Sequence, residues 1–279
     1  MMAPANLPDR LRIGCLLDNR PGHAFQVEAV VKAIGKKIPI EVDRFFVGRP
    51  DQMPLDGGID LCIGAGRKTN WKLAKIGIKY RVPTVVIMKP SLPTFLYSLC
   101  IIPVHDNPPS RPSILPIQFA PTTVTPGSKP KSGVQVALIG GPSSHYDWEC
   151  ETILHRLREL DRGPGFEILT SRRTPLESAK ALEACGRVIV PSQISRHQYE
   201  SLLESATRIV LTPDSVSMLS DALATDACIF SVPLQKKTSK VANYFDEVCL
   251  QTQMNTGIQN DPITEADRIA DHILQRFFI

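Results

Sequence analysis

No apolar run in this chain of 279 residues is long enough to span a bilayer as a helix, which takes about twenty consecutive apolar residues. Met1 to Arg10 lacks the apolar core of a secretory signal, so the protein is expected to be cytoplasmic. Peripheral contact with the inner membrane stays compatible with that expectation. No two of the seven cysteines stand at C-x-x-C spacing, and most lie in apolar runs, which excludes a zinc ribbon and a disulfide framework. They read as small buried hydrophobes in a reducing compartment. Aromatic residues make up only 6%, and 32 basic against 28 acidic side chains leave a formal charge of +4. With no Lys/Arg block and no interleaved aromatic stripe, nucleic acid is not an expected partner; an anionic small molecule or a membrane surface suits the charge better.

Short β-branched runs alternating with helical periodicity fill the chain. Strands are expected at Arg12–Leu17, Ile38–Val47, Ile59–Gly64, Pro83–Met88 and Leu99–Pro103. Helices are expected over Ala24–Ile34 and from Arg67 to about Tyr80, the second of them basic. The segment from Pro103 to Pro130 holds eight prolines and few periodic positions, which reads as a domain boundary. A second array then begins, with strands at Val134–Ile139, Phe166–Leu169, Arg187–Val190, Ile209–Leu211 and Cys228–Val232. Helices are expected after the first four of these strands, and a last amphipathic helix over Glu265–Phe277. The fold class is therefore α/β, with two Rossmann-like parallel-sheet domains facing a cleft. The division falls at 1–128 and 129–279, the last helix being free to pack back toward the N-terminal domain.

Within this frame, Thr212–Ala224 reads as strand, tight turn and helix, with Asp214 and Ser215 both suited to N-capping. Free N–H groups and hydroxyls at such a helix start favour an anion. Gly64-Ala65-Gly66 is half of a dinucleotide fingerprint and lacks the third glycine and the acidic residue downstream, so a nicotinamide cofactor is not expected. With Arg67 and Lys68 behind it, the same turn still suits an anion.

Five motifs taken in order carry a resemblance. They are Arg20-Pro21-Gly22-His23 with Gln26, Gly64-Ala65-Gly66-Arg67, Leu138-Ile139-Gly140-Gly141-Pro142-Ser143, Ser171-Arg172-Arg173-Thr174 and Asp214-Ser215-Val216-Ser217-Met218. Together they resemble the mitochondrial-fission "elongated mitochondria" family, whose members are mostly bacterial and which looks like the GT-B glycosyltransferases. The resemblance implies a GT-B-like fold, a nucleotide-diphosphate sugar as substrate with no separate cofactor, no metal, and a glycan or lipid-linked acceptor. The chain departs from the family pattern at Pro213 and Asp221, each standing where a glutamate is usual.

Carried onto these positions, the resemblance implies a substrate-binding set of Arg20, Gly22, Gly66, Arg67, Gly140, Gly141, Ser143, Ser144, Arg172, Arg173, Thr174, Asp214, Ser215, Ser217, Met218 and Asp221. His23 resembles the loop histidine of the peptidoglycan N-acetylglucosaminyltransferase and is the expected catalytic base. Asp18 and Asp106 both stand at strand ends, and either could orient it. Arg172, ahead of Arg173, is expected to meet a diphosphate leaving group. Lys236, Lys237 and Lys240 read as a solvated face. A non-catalytic scaffold and a nucleotide-sugar epimerase or hydrolase are the alternatives to a transferase.

Overall fold

A computed structural model describes residues 8–48, 58–127 and 133–279. The chain divides into two compact units, Met1–Thr123 with Thr264–Ile279, and Val124–Ile263. The expected division at 128/129 lies outside the described residues.

The first unit is built on a six-stranded, all-parallel sheet in the order β2-β1-β3-β4-β5-β6. Its strands are β1 (Leu11–Leu17), β2 (Ile40–Phe46), β3 (Leu61–Ala65), β4 (Thr84–Ile87), β5 (Leu99–Pro103) and β6 (Ile114–Ile117). Helix α1 (Pro21–Gly35) joins β1 to β2, and α2 (Arg67–Tyr80) joins β3 to β4. The two-residue side-chain period sends Ile13, Cys15 and Leu17 of β1 to the α1 face and Leu16 to the α2 face. Both faces are covered, which is why these strands read as continuous apolar runs.

Strand β6 was not expected, because it lies inside the proline-rich segment. Pro116 has no N–H to give a ladder, and the sheet tolerates it because β6 is an edge. The last helix, α8 (Ala266–Phe277), belongs to this unit: Ile269, Ile273 and Leu274 share a core with Val27, Val30 and Ile34 of α1. Glu265 fixes its start, accepting from Gln118 N at 2.6 Å, while Arg268 donates to Pro116 O at 2.8 Å.

The second unit holds a five-stranded parallel sheet in the order β11-β10-β7-β8-β9. These strands are β7 (Gln135–Ile139), β8 (Phe166–Thr170), β9 (Gly186–Ile189), β10 (Arg208–Leu211) and β11 (Cys228–Ser231). Helices α3 (Cys150–Leu160), α4 (Leu176–Leu182), α5 (Arg196–Ser205) and α6 (Val216–Leu223) connect them in turn. Helix α7 (Lys240–Gln251) is an addition to the expected set, capped by Ser239 Oγ on Ala242 N at 3.1 Å and buried through Ala242, Tyr244, Phe245 and Val248. Around its start Lys236 pairs with Asp246, and Lys237 with Asp147 at 2.9 Å, as a solvated face would.

Candidate active site

Strand order decides where each sheet can hold a ligand. In the first unit the chain leaves β1 toward β2 on one side and later lays β3 on the other. The loops after β1 and β3 therefore part company above one crevice, the usual ligand position in an open α/β sheet. In the second unit β7 and β10 play the same parts.

The loop after β1 carries Asp18, buried, whose Oδ1 accepts from Arg20 N at 3.0 Å and so supports the entry to α1. Its Oδ2 lies 2.9 Å from His23 Nδ1. An ionised carboxylate only accepts, so Nδ1 is the donor of this pair, and in a neutral ring Nε2 then carries the lone pair. Asp18 is thus the partner of His23; Asp106 instead gives its backbone carbonyl to Lys89 Nζ at 2.8 Å. Gly66 stands against the ring from the β3 loop. A Cβ there would collide with His23 Nδ1 and Cε1, and its φ of +85° is one that only glycine adopts freely. Thr69 Oγ1 donates to Gly66 O at 2.8 Å and holds the turn. Met88, at the end of β4, has a φ of +77°, a strained value for its side chain. Gly22 has no such need, since a Cβ would meet nothing there, and the side chains of Arg20 and Arg67 are exposed.

In the second unit the loop after β7 is stitched to its neighbours on both sides. Gly140 N donates to Thr212 Oγ1 at 2.8 Å and Gly141 N to Asp214 Oδ2 at 3.1 Å. Thr174, from the loop after β8, donates to Ile139 O at 3.1 Å and makes a short contact with Gly140 O. Arg173 gives Nη1 to Gly141 O at 3.0 Å and Nη2 to Asp214 Oδ2 at 2.6 Å. Side chains are barred from both glycines: a Cβ on Gly140 would strike the Asp214 carboxylate, and one on Gly141 the backbone carbonyl of Arg173. Asp214 Oδ1 is buried without a hydrogen-bond partner among the described residues.

Ser215 caps α6 with a 3.4 Å acceptance from Met218 N, and Ser217 is exposed on the first turn. Ser143 Oγ accepts from His145 N at 3.1 Å, while Ser144 and Arg172 are exposed. Asp221 faces inward to α5 instead, with Arg196 Nη1 and Nη2 at 3.2 Å from its two oxygens and Tyr199 Oη at 3.0 Å. Burial, and then that carboxylate, push the Tyr199 phenol well above its ordinary value. Spacing could not have singled out Asp18, Thr212, Arg196 or Tyr199. Asp18 competed with Asp106 for the same role, and the other three act on neighbours distant along the chain.

The model of the family described as Mitochondrial fission ELM1 matches residues 21–277, from the first turn of α1 to the end of α8. The chain belongs to the mitochondrial fission ELM1 family. A search of curated proteins finds no match to this ELM1-family chain. Among solved structures it is similar to a UDP-GlcNAc 2-epimerase from Neisseria meningitidis bound to UDP-GlcNAc, at 12% identity over 95% of this chain and 100% of that one, TM-score 0.53. It is also similar to S. aureus MnaA with UDP, at 11% identity over 95% and 96%, TM-score 0.51. A further UDP-N-acetylglucosamine 2-epimerase matches at 11% identity over 96% and 97%, TM-score 0.55. At such identities the likeness is one of fold, the GT-B fold of two parallel α/β sheets.

Proposed function

We propose that this ELM1-family protein binds a nucleotide-diphosphate sugar and transfers the sugar to a hydroxyl of an envelope glycan or lipid-linked acceptor. The observation that carries the reading is the Asp18–His23 pair, seated against Gly66 with Nε2 left without a protein partner among the described residues. In this mechanism Nε2 takes the acceptor's hydroxyl proton as the acceptor oxygen bonds to the sugar's anomeric carbon. The bond from that carbon to the diphosphate oxygen breaks, and the nucleoside diphosphate leaves with the electron pair. Asp18 holds the ring and balances the imidazolium that forms. The growing charge on the leaving group is met by Arg172, which no carboxylate engages among the described residues, and by the N–H groups at the start of α6.

Thermal shift with UDP, GDP, ADP and CMP sugars tests the binding, since saturating ligand raises apparent stability by roughly RT ln(1 + [L]/Kd). No shift with any of them at millimolar concentration sinks the reading. Once a donor is known, His23→Ala should lower turnover by about a hundredfold or more. Asp18→Asn should do nearly as much with KM little changed. Full turnover by His23→Ala would remove the base. Conversion of the donor sugar in the absence of any acceptor would replace transfer by epimerisation or hydrolysis.

The engagement of both Asp221 oxygens by Arg196 and Tyr199 favours a second reading, a GT-B-like scaffold for a membrane-associated partner, because Asp221 is already engaged where ribose hydroxyls would need it. A stable partner retained by Arg172→Ala and Ser215→Ala, with no nucleotide bound, would support it.

A further inference from the structure

Helix α2 carries more cationic and apolar surface than its own unit uses. From Arg67 to Arg81 the sequence has six basic residues and no acidic one. Leu73, Ala74 and Ile76 face the core. Lys68, Trp71, Lys75, Ile78 and Lys79 recur at spacings of three and four along the opposite side. Trp71 and Ile78 there are 60% and 67% exposed, and Lys75 Nζ lies 5.7 Å from the centre of the Trp71 ring. The short turn Thr94–Leu96 sits beside this helix, held by Tyr97 Oη donating to Asn70 O at 3.1 Å, and adds Phe95 at 74% exposure. Lys36 and Lys37, just past α1, pair with Asp267 and Asp271. Lys68, Lys75 and Lys79 have no such partner among the described residues.

We propose that this face of α2, with Phe95, docks on an anionic membrane surface, with the lysines against lipid phosphates and Trp71, Ile78 and Phe95 in the headgroup–acyl boundary. Charge complementarity commits it to that occupant. A nucleic acid would use the cations and leave Ile78 and Phe95 without a role, whereas an anionic bilayer uses both kinds of side chain at once. The inference is independent of the transferase reading.

The full chain is tested by co-sedimentation with vesicles of phosphatidylcholine and phosphatidylglycerol in equal parts, and with phosphatidylcholine alone. Binding is expected only to the mixed vesicles and should weaken with salt. The triple variant Lys68→Glu/Lys75→Glu/Lys79→Glu lies on solvent-facing positions and should keep its Tm. Its partition coefficient should fall on the order of a hundredfold. The protein has two tryptophans, so Trp148→Phe leaves Trp71 as sole reporter. Its emission should move to shorter wavelength on the mixed vesicles and be quenched by brominated lipid. Equal binding by the triple variant, unmoved Trp71 emission, or binding of single-stranded RNA in place of vesicles would overturn the proposal.

Discussion

The first unit's crevice ends on an imidazole whose Nε2 has no protein partner among the described residues. In the second unit, Asp214 Oδ2 is held by Arg173 and Gly141 N–H, and Asp221 by Arg196 and Tyr199. Both clusters sit at the point where strand order reverses, so topology alone does not separate them. The difference lies in what each glycine is there to admit. Gly66 makes room for a titratable ring, and Gly141 makes room for backbone. A group that moves protons has to be left open, while a loop that presents N–H groups has to be tied down. Damage to the first cluster should therefore appear in turnover, and damage to the second in stability.

The pair Gly141→Ala and Gly66→Ala tests this contrast most strongly. At Gly141 the added methyl meets the Arg173 carbonyl, which cannot swing aside, so overpacking should cost about 3 kcal/mol and lower Tm by roughly 10 °C. At Gly66 the obstacle is the His23 ring, which can rotate away. The stability loss there should be about 1–2 kcal/mol, from an alanine at positive φ. Displacing the ring breaks its bond to Asp18, so transfer activity should still fall about a hundredfold. Calorimetry with a turnover assay reads both, and equal Tm losses for the two variants would erase the contrast.

The second cluster has its own internal asymmetry. The Asp214 side chain is 1% exposed and that of Arg173 43%. Removing the arginine strands a carboxylate in the interior, whereas removing the carboxylate leaves a guanidinium that water can reach. Arg173→Ala should therefore destabilise by about 2 kcal/mol and Asp214→Asn by about 1 kcal/mol. The double variant should recover part of the first loss. A denaturant series on the three variants checks the order, and the reverse order would mean that Arg173 is held by solvent-exposed contacts alone.

Most strands and helices were legible because a parallel sheet covered on both faces writes itself as β-branched runs between amphipathic periods. β6 was not, since Pro116 argues against a ladder unless the strand is known to be an edge. Helix α7 was hidden behind its lysines, although Ala242, Phe245 and Val248 do recur at helical spacing. The assignment of α8 to the first unit depends on contacts with α1 and the end of β6 that no local pattern encodes. At the site, His23, the Gly140–Gly141 loop and the Ser215 cap could be read from residue type and position. Asp18 stood among two candidates for His23's partner, while Arg196 and Tyr199 on Asp221 carried no such signal. Gly66 was expected to serve an anion, yet its need for glycine comes from a ring carried on another loop. Likewise Asp221 looked available for a ligand until Arg196 and Tyr199 were found on it.

The smallest expected effect adds pH to the contrast between the units. His272 of α8 has its Nε2 buried with no partner among the described residues. Burial first, then the charges of Arg276 and Arg268, lower its pKa below the ordinary 6.5. The unfolded chain then takes up a proton near that ordinary value while the folded chain resists it. This contribution to stability is therefore whole above pH 6.5 and declines as pH falls through it toward the lowered folded-state value. Amide exchange, corrected for its intrinsic pH dependence, should show α8 peptides losing protection as pH falls below the ordinary 6.5. His272→Gln should flatten that dependence for α8 and leave the peptides of β7 and α6 unchanged. If the variant kept the parent's pH dependence in α8, His272 would not be its source.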